Sequence, residues 1–323
     1  MFRRACLFVF LLALSPIASA QILRVADLNT QQIRALDRAK TVVLLPGGIL
    51  EVHGPYLPAY TDGILSERLT QEIARAIAAK KPGRTVLIFP QVPLGASGSN
   101  ELGGHFSFPG TYAVRPSTLR AIFMDLAAEL GEQGFRWVFV VHVHGAPLHN
   151  RALDDAGDFF HDTFGGRMVH LWGLVPVLGG WGNALQSLSD AEKKEEGVSL
   201  HAGMDETSLL LYLQPALVSP AYKNAPVVTG HTLAESFDVT KSADWPGYLG
   251  SPRLASSAMG KKIWDSFAAA AIEHALKILD GADPAQFPRY ADLLEKNTLY
   301  QGWFAAASAL AAKQSAWLGK KSP

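Results

Sequence analysis

The chain has 323 residues, and its 29 basic and 29 acidic side chains leave no formal net charge. No basic run or patch stands out, so the electrostatic footprint of a nucleic-acid-binding protein is missing and we expect no nucleic-acid partner. The single cysteine, Cys6, lies in a segment that we expect to be removed. The mature chain would then have no disulfide, cysteine nucleophile or thiolate ligand.

The first twenty residues have the pattern of a secretory signal peptide. Arg3 and Arg4 precede a short apolar stretch at 6–14, and small residues at 18–20 predict cleavage after Ala20. The apolar stretch is too short to span a bilayer. We therefore expect a periplasmic or secreted protein with no membrane attachment after cleavage; the alternative is an uncleaved N-terminal anchor. Loss of the two arginines leaves 27 basic and 29 acidic residues, a net charge of −2.

Short apolar runs alternate with amphipathic stretches along residues 21–323. In chain order, strands are predicted at 41–45, 85–89, 136–143 and 167–171, and helices at 64–79, 116–132, 149–164, 205–213, within 253–279 and at 299–318. This alternation is typical of a largely parallel sheet with helices on both faces. We predict one α/β domain with a C-terminal helical tail, with two domains as the alternative. The charged run at 190–196 predicts a solvated loop.

Three potential metal ligands follow the first predicted strand, on a loop rich in glycine and proline. They are Glu51, His53 and Asp62. In α/β proteins, binding and catalytic side chains gather at the carboxyl ends of the parallel strands. Oxygen and imidazole ligands suit divalent metals such as Zn, Mn or Fe. The sequence therefore predicts a metal site at this edge of the sheet.

Histidines also follow the strand predicted at 136–143. His142, His144 and His149 lie within eight residues of one another. A lone histidine in such a run is more often an ordinary core residue, but three at a second strand end favour metal ligation.

A third polar group opens the helix predicted at 205–213. It contains His201, Asp205 and Glu206. Acidic residues in a first helical turn are also explained by compensation of the helix dipole. The nearby His201 favours the interpretation that this segment forms a wall of the site.

The Gly/Ser-rich segment 95–111 suits a flexible loop over a pocket. Its Ser97 and His105 are candidate substrate contacts. The segment lacks the lysine and the spacing of a phosphate-binding P-loop.

Taken together, these motifs resemble the creatininase (creatinine amidohydrolase) family. The resemblance rests on the runs 46–62, 140–145, 201–208 and 247–255, and 108–111 fits the same pattern. It covers about residues 35–265, in the family's order. It implies a three-layer α/β/α sandwich with a site for two divalent metal ions, and hydrolysis of a non-peptide C–N bond by a metal-bound hydroxide. The family often forms closed homo-oligomers, in which the C-terminal helix could pack at an interface.

The resemblance also implies a role for each residue. Asp62 would bridge the two metals, Glu51 and His144 would complete one of them, and His53 would bind the other. His201 would stabilise the oxyanion or shuttle a proton. Trp172 lies in the general region of the family's substrate pocket and is a further candidate substrate contact, although an aromatic residue there is more often a packing residue. These roles depend on the family motifs rather than on spacing alone.

Three positions depart from the family pattern. Tyr56 stands where a histidine is frequent, and His142 replaces an asparagine. Ala146 occupies the place of a carboxylate that creatininase itself has two residues after the metal-binding histidine. The second metal then needs another ligand, for which Glu206 is our prediction; a single-metal site is the alternative.

Two functions from different classes follow. The first is an exported metal-dependent amidohydrolase that acts on a small-molecule amide of the cyclic-amide or formamide type, with His201 and Glu206 as catalytic residues. The second, motivated by Tyr56 and Ala146, is a periplasmic protein that binds a small molecule or metal without turnover. A serine hydrolase is disfavoured because the chain lacks a G-x-S-x-G motif.

Overall fold

The structure, a computed structural model, describes residues 21–182, 188–294 and 297–320. The expected signal peptide, residues 1–20, lies outside the described residues, and its cleavage stays a prediction. None of the helices in the described part of the chain combines the length and the apolar character that a membrane-crossing helix needs.

A five-stranded sheet forms the middle layer of the fold. Its strands are β1 (Gln21–Arg24), β2 (Thr41–Gly47), β3 (Thr85–Ile88), β4 (Trp137–His142) and β5 (Arg167–His170), in the spatial order β1-β3-β2-β4-β5. Every pairing is parallel, so the carboxyl ends of the strands share one edge. The central strand β2 is buried along its whole length, as its continuous apolar run predicts for a strand covered on both faces.

Helices cover both faces of this sheet. They are α1 (Thr30–Arg34), α2 (Thr61–Lys80), α3 (Pro116–Glu132), α4 (Pro147–Phe164), α5 (Val175–Leu178), α6 (Asp190–Glu196), α7 (Met204–Leu213), α8 (Leu233–Thr240), α9 (Ser257–Leu279), α10 (Tyr290–Leu294) and α11 (Gln301–Gly319). Val42 and Leu44 of β2 pack with α2, α7 and α9, whereas the alternating Val43 and Leu45 pack with α3 and α4. The predicted three-layer α/β/α sandwich is confirmed.

The prediction of a solvated loop at 190–196 is wrong. Ser189 and Glu192 form a capping box that starts α6. Glu196, at the end of this helix, is completely buried, and its carboxylate accepts hydrogen bonds from the backbone N–H groups of Met204 (3.1 Å) and Ser251 (2.6 Å). Because an acidic residue can be buried when backbone donors surround it, the charged run did not require exposure. The contact also fixes the start of α7.

Strand β1 and helices α1, α5, α8 and α10 were not predicted from the sequence. The C-terminal helix α11 lies close to its predicted range, 299–318. It packs on the short 3-10 helix Ser99–Gly103 of the same chain. Its expected packing between copies of the chain stays a prediction.

Candidate metal centre

Polar side chains from four segments converge at the carboxyl edge of the sheet. Glu51 and His53 follow β2, Asp62 lies in the first turn of α2, His144 follows β4, and His201 and Glu206 lie at the start of α7. A glycine at position 48 permits this convergence, since a Cβ there would lie 2.8 Å from the Gly63 nitrogen and 3.1 Å from Asp62 Cβ. The loop after β2 therefore folds back directly against the start of α2.

The carboxylate of Asp62 lies between two groups of side chains. Its Oδ2 is 3.1 Å from His144 Nδ1, which is also 3.0 Å from Glu51 Oε1. Its Oδ1 is 3.3 Å from His53 Nε2, which is 3.8 Å from Glu206 Oε2. Each oxygen of one carboxylate thus faces a different set of ligand atoms, which is the arrangement that a bridging ligand requires.

Each histidine of the centre uses one ring nitrogen as a donor to a backbone carbonyl. The bonds run from His53 Nδ1 to Glu51 O (3.1 Å), from His144 Nε2 to Ala96 O and Ser97 O (3.1 Å each), and from His201 Nε2 to Val52 O (2.5 Å). Since a carbonyl can only accept, the N–H lies on that side of each ring. The other nitrogen of each ring faces the carboxylates, and it is the atom that could bind a metal.

The donor set fits a divalent cation. His53 Nε2 and Asp62 Oδ2 are buried and form no hydrogen bond among the described residues, although oppositely charged atoms lie nearby. A buried polar atom without a partner costs free energy, and a cation between these atoms would satisfy them. In the described part of the chain, three overlapping groups have ligand atoms within 4.8 Å of one another: Glu51, Asp62 and His144; His53, Asp62 and Glu206; and Glu51, His53 and His201.

Charges within the centre stabilise one another. Burial opposes ionisation of Glu51, but the positive charge of His144 and its hydrogen bond to the carboxylate outweigh it and hold the Glu51 pKa well below its usual range. Burial also opposes protonation of His53 and His144, yet the neighbouring carboxylates raise the pKa of His53 to about 10 and that of His144 well above its ordinary value. Without a cation, protons on these imidazoles therefore balance the carboxylates.

His201 and Glu206 differ from these groups. Burial lowers the pKa of His201 and favours its neutral form, whose Nδ1 lone pair lies 3.9 Å from Glu51 Oε1. A neutral imidazole in this tautomer accepts a proton at Nδ1 and has no N–H to give an oxyanion. Burial raises the pKa of Glu206 to about 8, and its Oε2 accepts a hydrogen bond of 2.5 Å from the Ala202 N–H.

A cavity of about 110 Å³ opens beside these side chains. One water needs only about 10–15 Å³ by this measure, so the cavity has room for a small molecule. Its lining includes Glu51, Asp62, His144, His201 and Glu206 together with apolar and aromatic residues. Ala146 also lines it, so no carboxylate reaches the centre from position 146.

Of the three predicted substrate contacts, one lines this cavity and two do not. Trp172 lines it, whereas Ser97 and His105 are not part of the lining. Ser97 has a positive φ of 67° and contributes its carbonyl to His144, and its buried hydroxyl forms no hydrogen bond among the described residues. His105 Nε2 instead donates to the carbonyl of Thr240 at 2.9 Å.

Several lining residues had no signal in the sequence. They include Phe237 of α8, Tyr290 of α10, and Tyr300 and Trp303 at the start of α11. The amphipathic pattern of α11 predicted a helix but not the surface on which it packs. From sequence alone, aromatic residues in an Ala-rich tail are interpreted as ordinary packing residues, because the tertiary contact is not visible.

Comparison with known proteins gives the family. The profile of the creatininase family, described as creatinine amidohydrolase, matches residues 26–275. A mycofactocin precursor peptide peptidase of Mycolicibacterium smegmatis is 29% identical over 247 residues, which cover 74% of this chain and 86% of the relative. A creatinine amidohydrolase of Pseudomonas putida is 28% identical over 249 residues, covering 69% and 84% of the two chains.

Solved structures agree on the fold. A crystal structure of creatinine amidohydrolase (creatininase) superimposes with a TM-score of 0.60 at 23% identity, covering 80% of this chain and 98% of the other. A structure described as creatininase Mn gives a TM-score of 0.59 at 22% identity, covering 79% and 98%. With the profile spanning most of the sequence and the ligand atoms gathered at its expected edge, the chain belongs to the creatininase family of hydrolases.

Proposed function

We propose that this protein is a metal-dependent amidohydrolase that cleaves a non-peptide C–N bond in a small, uncharged amide. The observation that supports this most strongly is the Asp62 carboxylate, whose two oxygens face the His144–Glu51 pair and the His53–Glu206 pair. Two divalent ions held by these ligands would polarise the amide carbonyl and lower the pKa of a coordinated water. Zn, Mn and Fe suit this mixture of oxygen and nitrogen ligands.

The residues of the chain hold the reactants and move the proton. Glu51, Asp62 and His144 form one ligand group, and His53, Asp62 and Glu206 form the other. His201 Nδ1 takes the proton from the attacking water, because its Nε2–H is already given to the Val52 carbonyl. The hydroxyl joins the carbonyl carbon, the C–N bond breaks, and His201 returns the proton to the leaving nitrogen.

Apolar and aromatic walls around the carboxylates favour a small amide over an extended peptide. Among the described residues that line the cavity, none is lysine or arginine, so neither of these side chains would pair with a carboxylate on the substrate. A peptidase is the second candidate, because a relative that matches most of this chain is described as a peptide peptidase.

A substrate panel tests this proposal. The purified chain is loaded with Zn or Mn and assayed for release of amine from cyclic amides, formamides and short peptides, as wild type, His201→Ala and His161→Ala. We expect turnover of cyclic amides or formamides and a loss of about 10²–10⁴-fold in His201→Ala. The control histidine lies on the exposed end of α4, and its variant should keep wild-type activity.

The possible outcomes of this assay distinguish the candidate functions. If only peptides are turned over, the protein is a peptidase and the proposed substrate class is wrong. Tight binding of metal and amides with no turnover of any of them would support the binding protein instead. Equal activity of His201→Ala and wild type would exclude His201 from proton transfer.

The proposal includes export and assembly. Residues 1–20 would direct the chain to the periplasm or the medium, and the mature chain would form a homo-oligomer. N-terminal sequencing of the protein recovered outside the cytoplasm should begin at Gln21, and light scattering should give a mass above that of one chain. A chain that keeps Met1, or a monomer, would contradict the corresponding part.

A further inference from the structure

Part of the cavity wall comes from a segment beyond the family match. The creatininase profile ends at residue 275, whereas Tyr290, Tyr300 and Trp303 line the cavity beside the carboxylates. The side chains of Tyr300 and Trp303 are each only 6% exposed. The C-terminal segment of this chain is therefore part of the site, in addition to the family domain.

The aromatic side chains pack against one another in fixed orientations. The rings of Tyr300 and Trp303 stack with their centroids 5.0 Å apart and their planes only 3° apart. The ring of Phe237, from α8, meets Tyr300 edge-on at 5.4 Å. With Leu102 and Ala146 they form one apolar cluster. We call Phe237, Tyr290, Tyr300 and Trp303 the aromatic wall.

A close backbone contact holds the wall against the loop that follows β3. A Cβ added at Gly302 would lie 2.6 Å from the Glu101 carbonyl oxygen and 2.9 Å from that of Leu102. Any larger residue at this position would push α11 away from the 3-10 helix Ser99–Gly103. The approach of α11 therefore depends on the absence of a side chain at residue 302.

A hydrogen-bond chain fixes the distance between the wall and the metal ligands. Trp303 Nε1 donates to the carbonyl of Gly98 at 2.8 Å. The N–H of the same peptide group, that of Ser99, donates to Glu51 Oε2 at 2.8 Å. Hydrogen bonds arranged in series polarise one another, so the indole and the Glu51 carboxylate are coupled through a single peptide group.

We propose that the C-terminal segment determines substrate specificity: the aromatic wall binds a flat, uncharged apolar group of the amide whose carbonyl lies at the metal centre. An aryl group fits such a wall because aromatic rings gain from stacking and edge contacts as well as from burial. This inference rests on the proposed amidohydrolase function, since it assumes that the carbonyl of the substrate reaches the carboxylates. Beyond that function, it specifies the chemical class of the substituent next to the substrate carbonyl.

Metal-chelating hydroxamic acids test the wall without knowledge of the substrate. Acetohydroxamate, benzohydroxamate and 4-carboxybenzohydroxamate are titrated into the Zn-loaded full chain by calorimetry, after its metal content has been measured. We expect benzohydroxamate to bind wild type at least about tenfold more tightly than acetohydroxamate. The carboxylated probe should lose that advantage, because it meets no lysine or arginine in the described lining.

Variants then assign the preference to the wall. With Zn in excess, Trp303→Ala should remove the aryl preference, so that benzohydroxamate loses about tenfold more affinity than acetohydroxamate does; if it does not fold, Trp303→Leu keeps the apolar bulk without the aromatic ring. Trp317→Ala is the matched control, since Trp317 lies further along α11 with 57% of its surface exposed. Its aryl preference should equal that of wild type.

The outcomes separate this inference from the proposed function. A Zn-loaded chain that binds both uncharged probes equally, or keeps its aryl preference in Trp303→Ala and Trp303→Leu, would overturn the role of the wall and leave the hydrolase intact. A chain that takes up no metal would overturn the proposed function, and the inference with it.

Discussion

At the residue scale, the orientation of each imidazole ring determines which of its nitrogens faces the carboxylates. His53 donates from Nδ1, whereas His144 and His201 donate from Nε2, and in every case the acceptor is a backbone carbonyl. Residue types and spacing predicted that these side chains lie near carboxylates. They could not predict the tautomers, because the acceptors of His144 and His201 come from distant segments of the chain.

The two ligand groups should respond separately to substitution. Glu206→Gln keeps the shape of the side chain but cannot supply a carboxylate to a cation at the position that lies 3.8 Å from His53. We expect it to weaken the binding of one metal equivalent by at least about tenfold and to leave the other within about threefold. Competition with a fluorescent chelator measures both equivalents.

Glu273→Gln serves as the control for this measurement. Glu273 lies on α9 with 58% of its side chain exposed and pairs with Lys277, so its variant should bind both equivalents as wild type does. If Glu206→Gln also kept two wild-type affinities, Glu206 would not be a ligand and the second metal would need another one.

The raised pKa values of the imidazoles predict that metal uptake releases protons. The pKa of His53 is about 10 and that of His144 is raised well above its ordinary value, so at pH 7 both carry protons that a cation must displace. Affinity for Zn should therefore rise from pH 6 to pH 9. Calorimetry in two buffers with different ionisation enthalpies counts the protons.

His53→Gln gives the internal check on this proton count. The variant lacks one protonated imidazole, so the released number should fall by about one at pH 7. Metal affinity that is independent of pH, or uptake without proton release in wild type, would contradict the charge balance described for the metal-free centre.

At the element scale, the start of α11 acts on the metal centre through the loop of Gly98 and Ser99. The indole of Trp303 and the carboxylate of Glu51 bind opposite sides of one peptide group. Trp303 is thus a positioning residue for Glu51 as well as part of the wall.

Trp303→Phe separates these two roles. Phenylalanine keeps a ring that can stack on Tyr300 but lacks the N–H that Gly98 accepts. We expect the metal equivalent that Glu51 binds to weaken by about 3–10-fold, while the other equivalent and the preference for aryl hydroxamates change by less than about twofold. The control is Trp317→Phe, on the exposed end of the same helix.

A purely structural role of Trp303 would give a different pattern. Both metal equivalents would then weaken together with the melting temperature of the metal-free chain. Unchanged affinity for both equivalents in Trp303→Phe would show that the hydrogen-bond chain does not position Glu51.

At the scale of the whole molecule, the parallel sheet explains why sequence reasoning located much of the site. Side chains that follow β2 and β4 must meet, because parallel neighbouring strands end at the same edge. Glu51 and His144 are therefore neighbours in space although 93 positions separate them. The resemblance to the creatininase family supplied Asp62 as a shared residue, which strand order alone does not give.

Packing between distant segments accounts for what the sequence did not predict. Glu196 is buried by backbone donors near Met204 and Ser251, and a charged run gives no sign of such donors. The aromatic wall depends on the approach of α11 to the loop at Ser99–Gly103. Neither contact follows from periodicity, because periodicity reports which face of a helix is apolar and not its partner.

The most direct test of this account is the metal content of the purified chain, measured by elemental analysis after reconstitution with Zn or Mn. Wild type, Asp62→Ala and the exposed control Asp265→Ala, whose side chain is 56% exposed, are compared at equal protein concentration. The account predicts about two equivalents in wild type and in the control, and less than one in Asp62→Ala. Two equivalents in Asp62→Ala, or none in wild type, would contradict a centre bridged by Asp62.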